Sequence, residues 1–289
     1  MMHRMSAVPL TPEEIASLGP ADETPPVGVN LYNAHPRDAL LSFYPQSHAY
    51  LARGSVPLES VSSVIARQFP VFDRDGVARR ISQREGRAVQ EILDGWVLKG
   101  ALARAAGTFM HLQIERRLLG LASECVFDHA FESATLSRHD RVDVGRELAF
   151  FEAWRAAERF VPYRTEWRIF DEEHALAGTV DFIARREDGE FVMYDWKRSS
   201  KLLAFDPETG TAGPVRENPY RRGLGRFGYL ADTPFHHYLI QQNLYREILY
   251  RHYGIRLGAM YLVVLSAQYD RAWQLPVPYD PRIAEILLS

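Results

Sequence analysis

The chain has 289 residues, of which 46% are hydrophobic and 25% charged, enough for one large domain with a sizeable core. Its net charge of −3 gives no global basic signature, so any contact with nucleic acid has to come from local patches. The single cysteine, Cys125, excludes an internal disulfide and a multi-cysteine zinc site, and fits a reducing compartment.

Met1 to Leu10 lack the apolar core of a signal peptide. The longest apolar stretch, Leu257 to Ala267, is far short of the roughly 20 residues that span a bilayer. A soluble intracellular protein is expected, in the cytoplasm or, for a eukaryotic or viral source, the nucleus or a viral factory.

Residues 1–58 are rich in proline, alanine and serine and only weakly periodic, which predicts a partly irregular N-terminal arm. Residues 59–289 form the expected main domain, helical over about 76–160 and α/β over about 161–280. Apolar residues recur at three- and four-residue spacing in Gly86 to Leu98, Ala101 to Leu119 and Arg146 to Phe160, the signature of helices. Pro162 closes the last of these. Thr165 to Phe170 alternates as a strand does. Ala177 to Ala184 and Phe191 to Lys197 flank the turn signal Glu187-Asp188-Gly189-Glu190, which predicts a hairpin. Leu202 to Thr233, rich in glycine, proline and arginine, reads as a long loop, a feature often tied to function. A helix follows over Pro234 to Tyr253, with Gly254 as its C-terminal cap. Ile255 to Ser266 and Ala272 to Val277 complete the set as strands. Helices, then strands, a helix and more strands make an α/β class.

The hairpin carries the most informative residues. Residues two apart on a strand share a face, so Asp195 and Lys197 project together, and a turn about Asp188 brings Asp181 opposite Asp195. Two carboxylates offer hard oxygen ligands for Mg²⁺ or Mn²⁺. Lys197 beside them can orient a water or stabilise charge on a phosphate. The competing reading is a plain salt bridge, but Val180, Phe182, Val192, Met193 and Trp196 around it predict a buried hairpin, where unpaired charge is costly. His111 and Glu115 share a helix face at i,i+4 and can both reach a metal. Glu166, on the preceding strand, is a further ligand or orienting acid, or a partner of Arg164 or Arg168. Gln241 and Tyr245 sit one helical turn apart. Arg216, Arg221, Arg222 and Arg226 interleave with Tyr220, Phe227 and Tyr229 in the loop, the chemistry that binds phosphates and stacks on bases. Arg79, Arg80, Arg84 and Arg87 form a second basic cluster. No phosphate-binding G-x-x-x-x-G-K-[ST] loop and no G-x-S-x-G elbow occur.

In order, Gly107-Thr108 with His111 and Glu115, Glu166, Gly178-Thr179-Val180-Asp181, Asp195-Trp196-Lys197, and Gln241 with Tyr245 resemble the PD-(D/E)xK nuclease superfamily, within it the RecB-like branch. The Asp-Trp-Lys-Arg-Ser run looks like that of stand-alone nucleases of large DNA viruses and microbes. The resemblance covers about residues 60–266. It implies a restriction-endonuclease-like core, a central mixed sheet flanked by helices. It implies His111, Asp181, Asp195 and the backbone carbonyl of Trp196 as metal ligands, with Glu115 beside them. Lys197 would be the catalytic lysine and Glu166 a catalytic acid. Gln241 and Tyr245 would contact the nucleic acid or brace the lysine, and Arg198 and the loop arginines are expected to contact nucleic acid as well. Asp195 stands where that family commonly has glutamate, and its helicase motifs and iron–sulfur cysteines are absent.

The expected activity is hydrolysis of DNA phosphodiesters with Mg²⁺ or Mn²⁺, at strand ends or on single strands, in repair, recombination or replication, without a nucleotide cofactor or iron–sulfur cluster. A catalytically inert nucleic-acid-binding subunit and an RNA nuclease are the rival readings.

Overall fold

The computed structural model describes residues 8–132, 137–206, 208 and 211–288. Residues 1–7 of the expected N-terminal arm, and 207, 209 and 210 of the expected loop, lie outside them. The chain runs through two short helices, α1 (Pro12–Ser17) and α2 (Gly28–Tyr32), then strands β1 (Leu41–Tyr44), β2 (Ala49–Ala52) and β3 (Val56–Ser60). Helices α3 (Val61–Ala66), α4 (Arg74–Glu85) and α5 (Val89–Leu118) follow, then the ribbon β4 (Val126–Glu132) and β5 (Ser137–Asp143), and α6 (Gly145–Ala157). The central strands are β6 (Phe160–Asp171), β7 (Leu176–Arg186) and β8 (Phe191–Lys197). Short strands β9 (Leu203–Phe205) and β10 (Ala212–Pro214) precede α7 (Pro234–Tyr253), β11 (Leu257–Val264), β12 (Trp273–Pro276) and α8 (Pro281–Leu287).

This is a mixed α/β architecture, a central mixed sheet flanked by helices. Eight strands form the sheet. β6, β7 and β8 are antiparallel neighbours, β8 and β11 are parallel, and β12 returns antiparallel. One face packs on α5 and α6 through Met110, Ile114, Leu148, Phe151 and Trp154. The other packs on α7 through Leu239, Ile240, Leu244 and Ile248.

β7 has three partners. β6 runs along one edge of it, from Leu176 to Arg186. On the other edge, β3 pairs in parallel with Leu176 and Ala177, and β8 pairs with Phe182 to Arg185. Residues 178–181 therefore pass through a fork between β3 and β8. Tyr245 of α7 is pressed against this segment. A Cβ on residue 178 would collide with its ring and hydroxyl, so Gly178 is there to admit the tyrosine.

The strand also changes face at the fork. Residues two apart on a regular strand share a face, yet Val180 lies in the core on α7 and Phe182 in the core on α5 and α6. The switch falls at Asp181. Opposite it on β6, Glu166 has φ +46°, a left-handed conformation that costs a side-chain-bearing residue about 1–3 kcal/mol. Pairing of β6 with β7 skips Glu166 and Asp181. Asn30 of α2 takes over the neighbouring backbone, its side chain accepting from the Thr165 N–H at 2.9 Å and donating to the Thr165 carbonyl at 3.0 Å.

Several elements differ from their sequence-based expectation. The expected helices over 86–98 and 101–119 are one 30-residue helix, α5. Gly100 lowers helix stability without breaking the hydrogen-bond ladder, as only proline does. Phe160 and Pro162 open a strand instead of closing a helix, and the proline sits at a register shift in β6, where its missing N–H is tolerated. Residues 41–58 of the expected irregular arm fall largely in three strands of the central sheet, the last of which runs on to Ser60. At four or five residues each, they are too short to show a period. The helix over Pro234–Tyr253 stands with the expected bounds, Thr233 capping its start and Gly254 its end. The Asp188 turn and the strand Phe191–Lys197 also stand as expected.

Candidate functional site

The fork gathers ionisable groups from four elements. α5 supplies His111, β6 supplies Glu166, β7 supplies Asp181, and β8 supplies Asp195 and Lys197. His111 Nε2 lies 3.0 Å from the Trp196 carbonyl oxygen. A carbonyl only accepts, so Nε2 carries the hydrogen and Nδ1 faces the acids. Nδ1 stands 3.5 Å from Asp181 Oδ2 and 3.6 Å from Glu166 Oε1. The donor atoms of His111, Glu166 and Asp181 all lie within 4.8 Å of one another, a spacing that could hold a metal ion.

Each acid is placed by specific contacts. Asp181 Oδ2 accepts the Trp196 backbone N–H at 2.8 Å, where the β7–β8 ladder ends. Trp196 is immobilised beneath the site, with the Phe182 ring stacked 5.7 Å away and Phe151 and Trp154 edge-on at 5.4 and 5.3 Å. Asp195 Oδ2 faces the Lys197 ammonium at 2.5 Å, as the shared strand face requires. The ammonium also stands 4.3 Å above the Tyr238 ring of α7. Arg164 and Arg168 are not partners of Glu166. Arg164 pairs with Asp38 at 2.7 Å and Arg168 with Asp22. Glu166 Oε1 is buried and makes no hydrogen bond, since 3.6 Å to an imidazole nitrogen is too long for one.

Burial and charge act on these groups together. Burial alone would lower the His111 pKa, but Asp181 and then Glu166 outweigh it and raise it to about 9. Burial raises Asp181, against the pull of His111 and Lys197. Burial pushes Asp195 up to about 7 despite Lys197. Glu115, one turn along α5 from His111, is raised to about 7 by burial and by Glu166. Burial would lower Lys197, yet Asp195 and Asp181 raise it. The lysine is therefore an ammonium throughout the neutral range and cannot serve as a base there.

Protons thus occupy a place that the carboxylates reserve for positive charge. An imidazole nitrogen with carboxylate oxygens is a donor set that could hold a metal ion, and the unbonded Glu166 oxygen fits a ligand atom. The sequence-predicted ligands separate into two groups. His111 and Asp181 are joined by Glu166, whereas Asp195 is turned to Lys197, its nearest cation. The Trp196 carbonyl is bonded to His111.

The nucleic-acid residues expected from the sequence are placed unevenly. Gln241 Nε2 donates to the Tyr245 hydroxyl at 3.3 Å, directly behind Gly178. Arg198 is paired at 2.8 Å with buried Glu147. Arg221 binds Asp232 at 3.0 Å and the Pro70 carbonyl. Arg222 and Arg226 make long contacts to backbone carbonyls of Tyr229 and Glu285, 3.5 and 3.4 Å. Arg216 lies over the Phe235 ring at 5.4 Å. Of the loop aromatics, Phe227 belongs to the core, Tyr229 binds Asp280, and Tyr220 is exposed. In the second basic cluster, Arg84 and Arg87 pair with Glu85 and Glu91. Tyr238 was not singled out from the sequence, although its place one turn before Gln241 puts it on the same helix face.

No family model and no curated protein matches the chain. Among solved structures, one described as "Crystal structure of SSO0001" is similar over 80% of this chain and 76% of that one, at 13% identity and a TM-score of 0.27. Among the described residues, no helix is long and apolar enough to cross a membrane.

The left-handed Glu166 gives the first test. Glu166→Gly relieves backbone strain and removes one carboxylate, so thermal stability should hold or rise by about 1 kcal/mol, while Mn²⁺ affinity falls at least ~10-fold. Unchanged Mn²⁺ affinity by calorimetry contradicts a ligand role. The raised pKa values give a second. His111, Asp195 and Glu115 keep protons in the folded chain at pH values where the unfolded chain has lost them. The unfolded state then binds fewer protons, and stability falls as pH rises. The acids act between about pH 4 and 7, and His111 between 6.5 and about 9. Urea unfolding of the metal-free protein should show stability declining from pH 6 to 9, and saturating Mn²⁺ should flatten the decline. A metal-free protein that gains stability across that range refutes the assignment.

Proposed function

We propose that this chain is a divalent-metal-dependent nuclease that hydrolyses DNA phosphodiesters, built on a restriction-endonuclease-like core of the PD-(D/E)xK type. The carrying observation is the cluster at the β7 fork, where His111, Glu166 and Asp181 converge beside the Asp195–Lys197 pair. The same residues, in the same chain order, carry the sequence resemblance. A structural salt bridge explains Asp195 and Lys197 but leaves the convergence of His111, Glu166 and Asp181 unexplained.

A divalent cation at this site would place positive charge on a phosphate oxygen and lower the pKa of a water beside it. His111, Glu166 and Asp181 would hold that cation, with Asp195 and the Trp196 carbonyl within the same fork. Lys197, fixed as an ammonium by Asp195 and the Tyr238 ring, supplies a positive charge to a phosphoryl group as negative charge develops. Gln241 and Tyr245 brace the Gly178 backbone from behind. Deoxyribonucleic acid is the proposed substrate and partner, with Mg²⁺ or Mn²⁺ as the metal, in repair, recombination or replication.

Purified protein should cleave linear DNA with Mg²⁺ or Mn²⁺ and cease on addition of EDTA. Asp181→Ala and Lys197→Ala should each lower the rate at least ~100-fold while leaving the circular-dichroism spectrum intact. Cleavage that survives either substitution undiminished overturns the proposal.

A further inference from the structure

A groove of about 630 Å³ opens beside the fork, between α3, the segment 67–73 and the start of α7. Its volume lies in the range of sites that enclose a small molecule or a nucleoside. Apolar side chains, among them Ile65, Phe69 and Phe72, line it together with polar ones such as Thr233, His237 and Gln241. The Phe69 and His237 rings stack at 3.9 Å with 22° between planes. Phe72 lines it and is 53% exposed, a high value for a phenylalanine without a partner surface.

The groove has no uncompensated charge. Arg221, the cation in its wall, is paired with Asp232, and Asp232 also takes His237 Nε2 at 2.9 Å. It therefore offers nothing for a phosphate, and suits an uncharged planar group. It is continuous with the candidate site through two residues. Tyr238 lines it and carries the Lys197 ammonium over its ring. Gln241 lines it and braces Tyr245, and its buried Oε1 makes no hydrogen bond.

We infer that this groove receives an unpaired base of the strand being cut, stacked against its aromatic wall next to the phosphate held near Lys197. The inference rests on the proposed nuclease function and deepens it. Flat aromatic walls accept any base by its face. A base inside a duplex is stacked and paired, so only an end, a flap or a single strand can enter without the cost of unpairing. A preference for unpaired DNA then arises from the groove and not from the arginine-rich loop, whose Arg221 and Phe227 are engaged within the fold.

The test uses full-length protein with Ca²⁺ in place of Mg²⁺, and fluorescence anisotropy on three DNAs of the same duplex sequence. One is blunt, one has a three-nucleotide unpaired tail, and one has the same tail made of abasic residues. The abasic tail keeps every phosphate and removes every base. The groove predicts that the natural tail binds about 10-fold tighter than the abasic one. It also predicts that Phe72→Ala, at an exposed position, removes most of that ratio while leaving blunt-end affinity unchanged. Equal affinity for the two tails overturns the groove assignment and leaves the nuclease reading standing. Failure to bind any of the three DNAs overturns both.

Discussion

Burying a carboxylate costs several kcal/mol unless positive charge or hydrogen bonds replace its water. At the β7 fork, Asp181 and Asp195 are buried, and Glu166 holds a buried oxygen without a hydrogen bond. Their compensation comes from one imidazole and one ammonium, and both of those groups titrate well above their ordinary values as a result. Much of the surrounding structure serves to keep these five side chains together. Trp196 is clamped by aromatic rings so that its N–H meets Asp181 and its carbonyl meets His111. Asn30 takes up the backbone that Glu166 gives up. Gly178 makes room for Tyr245 behind the strand.

The topology explains why the cluster sits where it does. A strand paired along both edges has its backbone groups consumed and its side chains fixed to alternate faces. β7 is paired on both edges at its ends only, since β3 leaves it after Ala177 and β8 joins it at Phe182. The free stretch between can twist, and it does so at Asp181. The left-handed Glu166 on β6 matches that twist. Local strain of this kind persists only where the surroundings enforce it, and it concentrates at functional sites.

Parts of this were legible in the sequence. Strand periodicity places Asp195 and Lys197 on one face, and the Asp188 turn fixes the hairpin register that sets Asp181 against them. The α7 boundaries follow from local chemistry, a threonine cap, a proline in the first turn and a glycine at the end. Other parts were not. The conformation of Glu166 depends on α2 and β7, more than a hundred and about fifteen residues away along the chain. β1 to β3 are too short to show a pattern, and β3 ties them to the sheet by pairing with distant β7. The arginines of the long loop resemble a phosphate-binding patch in composition. Asp232 lies in the same loop, but the Pro70 and Glu285 carbonyls that Arg221 and Arg226 meet are tertiary facts that no local window contains. The same holds for Arg198, whose acid lies 51 residues earlier.

The central claim is that the fork is a cation site and not a self-satisfied salt bridge. Crystals of the protein grown with Mn²⁺, measured at a wavelength where manganese scatters anomalously, address it directly. The account predicts one dominant anomalous peak at ordinary coordination distance, about 2.0–2.3 Å, from a His111 nitrogen and an Asp181 carboxylate oxygen, with Glu166 within reach. An anomalous map without a peak in the fork at saturating Mn²⁺, with His111 still bonded between Trp196 and the acids, would contradict it.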